Sequence, residues 1–162
     1  MVQGPAAYLL LDVTGTVCAL PREAASEILP LPDLQRPPAD GGWLLGFANV
    51  AGQLIPVLDL ARILGLRAQA PDADLYAHLV LTRDRSQAWF VDRVVDLATV
   101  PVEAHRDADP ATSLNGCVEA AVAVGDSLIP VLAPERLLTA SERGRIDAQT
   151  RAAAERLAAL PA

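Results

Sequence analysis

The sequence predicts a mainly β protein that ends in a single α-helix. Three observations support this prediction: short apolar runs alternate with turn-forming segments, a pentapeptide occurs twice, and helical periodicity begins only near residue 140. The pentapeptide Leu-Ile-Pro-Val-Leu occupies residues 54–58 and again residues 128–132. An internal repeat of this kind indicates two copies of one structural unit.

The first strands of the two halves support this duplication. Each half contains an apolar run, a polar turn segment and a second apolar run, which is the pattern of a β-hairpin. These runs are residues 8–11 and 17–20 in the first half and residues 79–82 and 88–91 in the second. We therefore expect two β-rich subdomains, at approximately residues 7–70 and 75–138.

Short helices are predicted after each copy of the pentapeptide. In the first half Asp59 can act as the N-cap of a helix over residues 60–64. In the second half Pro134 can occupy the first helical position. Pro56 and Pro130 interrupt their apolar runs, so we expect each of them at a sheet edge or a β-bulge, where no ladder N–H is missed.

Two segments are predicted to be loops. Residues 29–42 contain four prolines, and residues 103–113 are mostly polar. The C-terminal helix is expected over residues 141–160, with Ser141 as its cap. One face of this helix is apolar, and either it packs on the body of the protein or it binds a partner. The residues of that face are Ile146, Ala153, Leu157 and Leu160.

Composition excludes several classes of function. The net charge is −7, which disfavours nucleic acids and anionic membrane surfaces because both require a local excess of basic residues. All 13 basic residues are Arg, so lysine Schiff-base chemistry and P-loop phosphate binding are excluded. No apolar run approaches the length of a membrane span and no signal peptide is visible, so we expect a cytoplasmic protein without membrane insertion.

The sequence offers little material for catalysis or metal binding. It has only two histidines and two cysteines, at spacings that match no metal-binding motif. Cys18 and Cys117 are expected to be buried thiols and not a disulfide. Asp92 is the best candidate for a special role, although capping a turn or pairing with Arg93 would account for it. We therefore expect no enzyme activity, no metal and no cofactor, and we keep an unrecognised enzyme and a nucleic-acid-binding β-barrel as alternatives.

Residues 46–60, with the sequence GFANVAGQLIPVLDL, resemble the signature of the CheW family, which runs approximately G-V-x-N-L-R-G-x-I-x-P-V-I-D-L. Other segments resemble further elements of the family in the same order, and the resemblance covers residues 7–143. These segments are residues 17–29 (a strand and a short helix), 88–97 (a V-D-x-V element) and 116–138 (the closing run).

The resemblance implies a fold of two packed SH3-like five-stranded β-barrels with short connecting helices. It also implies a non-enzymatic adaptor that couples the signalling tip of chemoreceptors to the regulatory domain of a CheA-type histidine kinase. The partner-binding positions that it implies lie in two groups. The first is Ala25, Glu27 and Ile28, and the second, within the signature, is Gly46, Asn49, Val50, Ala51 and Gly52.

Other interpretations of these positions remain open. Ile28 can be a core residue, and Gly46 and Gly52 can serve only to permit a backbone conformation that other residues avoid. Ala51 stands where the family signature has Arg, and an alanine cannot bridge carboxylates or carbonyls as a guanidinium does. Ser86 and Gln87 also stand where relatives often have apolar residues. We therefore keep as an alternative a divergent accessory protein that retains only the receptor contact or only the kinase contact.

Overall fold

The computed structural model describes residues 4–35, 43–68, 77–111 and 113–160. The fold is mainly β, with two sheets and one long C-terminal helix. The strands are β1 (Ala6–Val13), β2 (Thr16–Pro21), β3 (Ala25–Pro30), β4 (Leu44–Val50), β5 (Gln53–Asp59), β6 (His78–Thr82), β7 (Ala88–Val91), β8 (Arg93–Val100), β9 (His105–Asp107), β10 (Val118–Val124) and β11 (Ser127–Leu132). The α-helices are α1 (Leu60–Ile63) and α2 (Ala140–Ala158), and 3₁₀ turns occupy Arg22–Ala24, Val102–Ala104 and Pro134–Arg136.

Each sheet combines strands from both halves of the sequence. The six-stranded sheet has the order β8-β1-β2-β11-β10-β9, and the five-stranded sheet has the order β3-β6-β7-β5-β4. Apart from β9, which has no counterpart among the strands of the described residues, replacing each strand by its counterpart in the other half turns the first order into the second, because β1 corresponds to β6, β2 to β7 and β11 to β5. The second strand of each half therefore pairs with the last strand of the other half, β2 with β11 and β7 with β5.

The two sheets are open within the part of the chain that the structure describes. The edge strands β8 and β9 are not paired with each other, and neither are β3 and β4, although Gln35 bridges to Phe47 on β4. The prediction of closed five-stranded barrels is therefore not confirmed. The subdomain boundaries at 7–70 and 75–138 remain a prediction, and the segment between them lies partly outside the described residues.

Apolar side chains form three clusters, because most strands are buried on both faces. The central cluster joins the two sheets, with Leu9 and Leu11 from β1 packed together with Trp89 from β7 and other residues. The alternate residues of the same strands point the other way, as Leu10 does, into a cluster formed by one sheet alone. This alternation explains why the strands appear in the sequence as nearly continuous apolar runs.

The expected position of the two prolines is wrong, since β5 and β11 are internal strands. The register shifts of their ladders lie elsewhere, between positions 44 and 46 of β4 and between positions 118 and 120 of β10. Pro56 is tolerated for a different reason. Its partner Phe47 directs its backbone N–H and C=O to Gln35 and away from β5. The ring nitrogen of Pro56 therefore faces β7, whose paired residues begin only at Val57.

The predicted loops contain more strand than expected. In the predicted loop at 29–42, the first two residues, Leu29 and Pro30, belong to β3 and pair with β6. Residues 36–42 of this loop lie outside the described part of the chain. The loop at 103–113 includes β9, which pairs with β10. Asp59 stands at the N-cap position of α1, but its side chain makes no capping hydrogen bond. Pro134 begins its 3₁₀ turn as expected.

The N-cap residue of the C-terminal helix lies two positions before the predicted one. Thr139, and not Ser141, is the N-cap: its hydroxyl accepts a hydrogen bond from the N–H of Glu142, whose carboxylate in turn accepts one from the N–H of Thr139. This reciprocal pair is a capping box. Ile146 and Ala153 are buried as expected, whereas Leu160 lies beyond the helix and is exposed.

Candidate partner-binding surface

The β4–β5 hairpin turns on two residues, Ala51 and Gly52, because Val50 pairs with Gln53. Both turn residues have positive φ, 52° for Ala51 and 86° for Gly52. Two consecutive positive φ angles define the type I′ turn, which suits the right-handed twist of a hairpin. The side-chain oxygen of Asn49 accepts a hydrogen bond of 3.0 Å from the N–H of Gly52 and stabilises the turn.

The tip of this hairpin is open to solvent. Asn49, Ala51 and Gly52 are exposed, and Val50 is half-buried against the cluster of the five-stranded sheet. Because β7 begins opposite Val57, the start of β5 and the turn project past the end of β7. The turn can therefore reach another protein, and Ala51 presents only a methyl group there.

Gly46 has a structural reason to be glycine. Its φ is 156°, and a Cβ atom at this position would lie 2.5 Å from the carbonyl oxygen of Gln35 and 3.2 Å from the Cβ of Leu34. The residue is buried. Gly52 has no neighbour near its absent Cβ, and its positive φ alone explains the glycine.

Ala25, Glu27 and Ile28 all lie on β3, an edge strand of the five-stranded sheet. Ala25 is buried in the central cluster, while Glu27 is exposed and lies 3.4 Å from the guanidinium of Arg85. Ile28 is 40% exposed and is therefore not a core residue.

The two predicted groups lie at opposite edges of this sheet. Paired residues form a row from Glu27 through Leu81, Ala88 and Val57 to Gly46. Four strand-to-strand steps therefore separate Glu27 from Gly46. Sequence proximity had given no indication of this arrangement.

A cavity of about 620 Å³ lies between the β6–β7 turn and the segment that leads from β11 into α2. None of the predicted partner-binding residues lines it. The β6–β7 turn forms one wall, with Ser86, Gln87 and Trp89, and the other wall is formed by the 3₁₀ turn at 134–136, Leu137 and Leu138, and Arg143 of α2. Of its lining residues, the sequence analysis had singled out only Ser86 and Gln87.

The rim of the cavity carries charged groups that are already engaged. The Asp84 carboxylate accepts hydrogen bonds from the hydroxyls of Ser86 and Thr82, and these bonds hold its pKa below the usual range. The guanidinium of Arg143 donates to the carbonyl oxygens of Glu135 and Leu138. Two polar atoms of lining residues, the Nε1–H of Trp89 and the Oε1 of Gln87, are inaccessible to solvent and have no hydrogen-bond partner in the described structure.

A second polar group joins the two sheets. Asp59 is fully buried, and its Oδ1 lies 2.7 Å from Nη2 of Arg67. Burial raises the pKa of Asp59, and the hydrogen bond and charge of Arg67 oppose this shift. The other guanidinium nitrogen of Arg67 lies 3.6 Å from Asp92, whose Oδ2 accepts a hydrogen bond of 2.8 Å from the N–H of Thr14.

Asp92 thus caps the β1–β2 turn, which is one of the two roles expected for it. The other expected role is wrong, because Arg93 lies 3.7 Å from Asp12 and not on Asp92.

The thiols and imidazoles are all accounted for by structural contacts. Both cysteines are free and buried, and desolvation raises the pKa of Cys18 to about 12, so this thiol stays protonated. His105 lies 2.9 Å from the hydroxyl of Tyr8, and His78 accepts a bond from the N–H of Val94. Within the described residues, no group of three potential metal ligands occurs.

No helix in the described part of the chain is long and apolar enough to cross a membrane. None of the curated proteins matches the chain. A solved structure, described as that of the scaffolding protein TtCheW from Thermoanaerobacter tengcongensis, matches with a TM-score of 0.73 and 16% sequence identity. The match covers 85% of this chain and 90% of that one, so the two proteins share a fold.

The sequence itself also matches a family model. The model of the CheW-like domain matches residues 7–142, which is most of the chain and includes both groups of predicted partner-binding residues. The chain therefore belongs to the CheW family.

Proposed function

We propose that this protein is a cytoplasmic, non-enzymatic scaffold of a bacterial chemosensory system, which couples the signalling tip of chemoreceptors to the regulatory domain of a CheA-type histidine kinase. The observation that carries the proposal is membership of the CheW family over residues 7–142. The expectation that the fold consists of two packed SH3-like five-stranded barrels belongs to the same proposal. Its support is that each sheet has an apolar cluster of its own.

The exposed residues suit contacts between proteins better than chemistry. Glu27 and Ile28 are accessible on an edge strand, and the β4–β5 turn projects from the sheet. The net charge of −7 also argues against nucleic acid as the partner. We assign the partner contacts to these two regions.

Ala51 favours a second candidate function. At an exposed turn a methyl group offers no charge and no hydrogen bond, whereas the Arg of the family signature would offer both. The alternative is an accessory scaffold that retains the contact with the receptor or with the kinase, but not with both, and so changes the assembly of the receptor array.

Titration calorimetry against two purified partners from the same organism tests the proposal. The partners are the kinase regulatory domain and a fragment of a receptor signalling tip. Binding to both supports the coupling scaffold, and binding to one supports the accessory scaffold. If neither binds, the proposed function is wrong.

The variant Ala51→Arg sharpens this test. An interface arginine can contribute a few kcal/mol where it is a hot spot, so a partner that contacts the turn should bind the variant more tightly. Ala51→Gly is the matched control, because it suits the positive φ of 52° and adds no side chain. Equal affinity of both variants for both partners would remove the turn from the interface.

A further inference from the structure

A turn in the second half of the chain contacts the end of α1 in the first half. Asn115 lies in this turn, 52 positions after Ile63, and its Nδ2 donates a hydrogen bond of 3.1 Å to the carbonyl oxygen of Ile63. The same side chain covers Gly65, because a Cβ there would lie 2.8 Å from Nδ2 of Asn115 and 3.2 Å from its Cγ. One carboxamide therefore joins two segments that are distant in the sequence.

The backbone of this turn has a conformation that L-residues usually avoid. Leu114, Asn115 and Gly116 have consecutive positive φ angles of 46°, 60° and 78°. Residues other than glycine adopt the left-handed conformation mostly at single positions, because it brings Cβ close to the following carbonyl oxygen. The N–H of Cys117 closes the turn with hydrogen bonds of 3.1 and 3.3 Å to the carbonyl oxygens of Ser113 and Leu114. The turn therefore depends on such bonds and on the contact of Asn115 with α1.

Asn115 is followed directly by a glycine, and both residues are exposed. The space beside Gly116 is open, since a Cβ at this position would have no atom within 4 Å. Among the residues that the structure describes, the N–H of Gly116 has no hydrogen-bond acceptor. The nitrogen of Gly116 is therefore neither shielded nor engaged, and it is linked by short covalent geometry to Cγ of Asn115.

We propose that Asn115 is a site of spontaneous deamidation, and that this modification releases the contact between the turn and α1. The nitrogen of Gly116 attacks Cγ of Asn115 and forms a succinimide ring. The bond from Cγ to Nδ2 breaks, and Nδ2 leaves as ammonia with the proton that the attacking nitrogen loses. Water then opens the ring at one of its two carbonyl carbons, which gives aspartate or isoaspartate. The reaction consumes only water.

Either product removes the hydrogen-bond donor that faces Ile63. A carboxylate oxygen and the carbonyl oxygen of Ile63 are both acceptors, so they repel each other at this distance. Isoaspartate in addition inserts a methylene group into the main chain of a turn that already holds three consecutive left-handed residues. The modification should therefore loosen the contact between the two halves of the chain.

The other asparagine of the sequence provides an internal control. Asn49 is followed by Val50, whose branched Cβ hinders attack by its backbone nitrogen. The side chain of Asn49 also has the opposite role in hydrogen bonding, because its Oδ1 accepts from the N–H of Gly52. An aspartate can still accept this bond, whereas it cannot make the donation that Asn115 makes.

Mass spectrometry of tryptic peptides tests the site. Trypsin does not cleave before Pro37, so Asn49 falls in the peptide 23–62, and Asn115 falls in the peptide 107–136. After incubation of the folded protein in mildly alkaline buffer, we expect the mass gain of an exchange of NH₂ for OH in peptide 107–136 and none in peptide 23–62. Gly116→Ala should suppress this gain, because its methyl group hinders the attack and has room in the fold.

Two outcomes would overturn the inference. In the first, peptide 107–136 of the folded protein stays unmodified over a time in which the chain in urea is converted, which would mean that the turn holds Asn115 away from attack. In the second, Gly116→Ala gains mass as fast as wild type.

The variant Asn115→Asp, which reproduces one product, tests the consequence. It should lower the equilibrium constant of folding about tenfold, because it removes a part-buried hydrogen bond and places two acceptors together. Asn49→Asp should have a much smaller effect, since the bond from Gly52 survives. Urea unfolding measures both variants. If Asn115→Asp is as stable as Asn49→Asp, the modification does not release the contact and the inference is wrong.

Discussion

Gly46→Ala should destabilise the protein by about 2–4 kcal/mol, because a methyl group has no room at this position. The added Cβ would lie 2.5 Å from the carbonyl oxygen of Gln35, whereas ordinary contacts begin near 3.4 Å. The obstacle is backbone, which cannot rotate away as a side chain can. Relief requires displacement of Gln35, and this threatens its two hydrogen bonds to Phe47, of 2.8 and 2.7 Å.

Urea unfolding followed by circular dichroism measures the effect, and Gly144→Ala is the matched control. Gly144 lies within α2 with no atom within 4 Å of its absent Cβ, so alanine should stabilise the helix by about 0.5–1 kcal/mol. The same chemical change should thus have opposite signs at the two sites. If the free energy of unfolding of Gly46→Ala lies within about 0.5 kcal/mol of wild type, the steric argument is refuted.

Thr139→Ala should cost about 1 kcal/mol of unfolding free energy because it removes the capping box, while Ser141→Ala should cost much less. Arg67→Met should destabilise by about 3–5 kcal/mol near pH 7.5, because it leaves the Asp59 carboxylate buried and unpaired. The pKa of Asp59, which burial already raises, should then rise further, so the deficit in unfolding free energy should shrink as pH falls through that pKa. A deficit that stays constant down to the lowest pH at which both proteins remain folded would contradict this. Neither cysteine should react with a thiol reagent in the native protein, whereas both should react in urea, because burial raises the pKa of Cys18 to about 12.

The strands could be located from the sequence because each leaves a local trace. Residues 8–11, 17–20, 79–82 and 88–91 fall within the observed strands β1, β2, β6 and β7. An uninterrupted apolar run between turn segments requires no knowledge of the partner strand. The same holds for the repeated pentapeptide, which lies in β5 and β11.

The candidate site was only partly accessible to such reasoning. The special backbone conformation of Gly52 could be anticipated from the motif, but the turn at Ala51 and Gly52 and the separation of Glu27 from Gly46 across four strand steps could not. The cavity beside Gln87 escaped prediction because its walls come from segments about 50 positions apart in the sequence. The cap of α2 was assigned to Ser141 because hydroxyl residues stand at both 139 and 141, and only backbone geometry decides between them.

The sequence by itself determined the β class, the duplication of the strand pattern and the family, because apolar periodicity and motif spacing are properties of short segments. Only the tertiary structure decided that the first two strands of each half join the sheet of the other half. It also decided that Arg67 compensates the buried Asp59. The physical reason is that strands buried on both faces lack the alternation of apolar and polar residues that would mark one face as the inner one. Their neighbours in the sheet are therefore selected by the packing of the whole core.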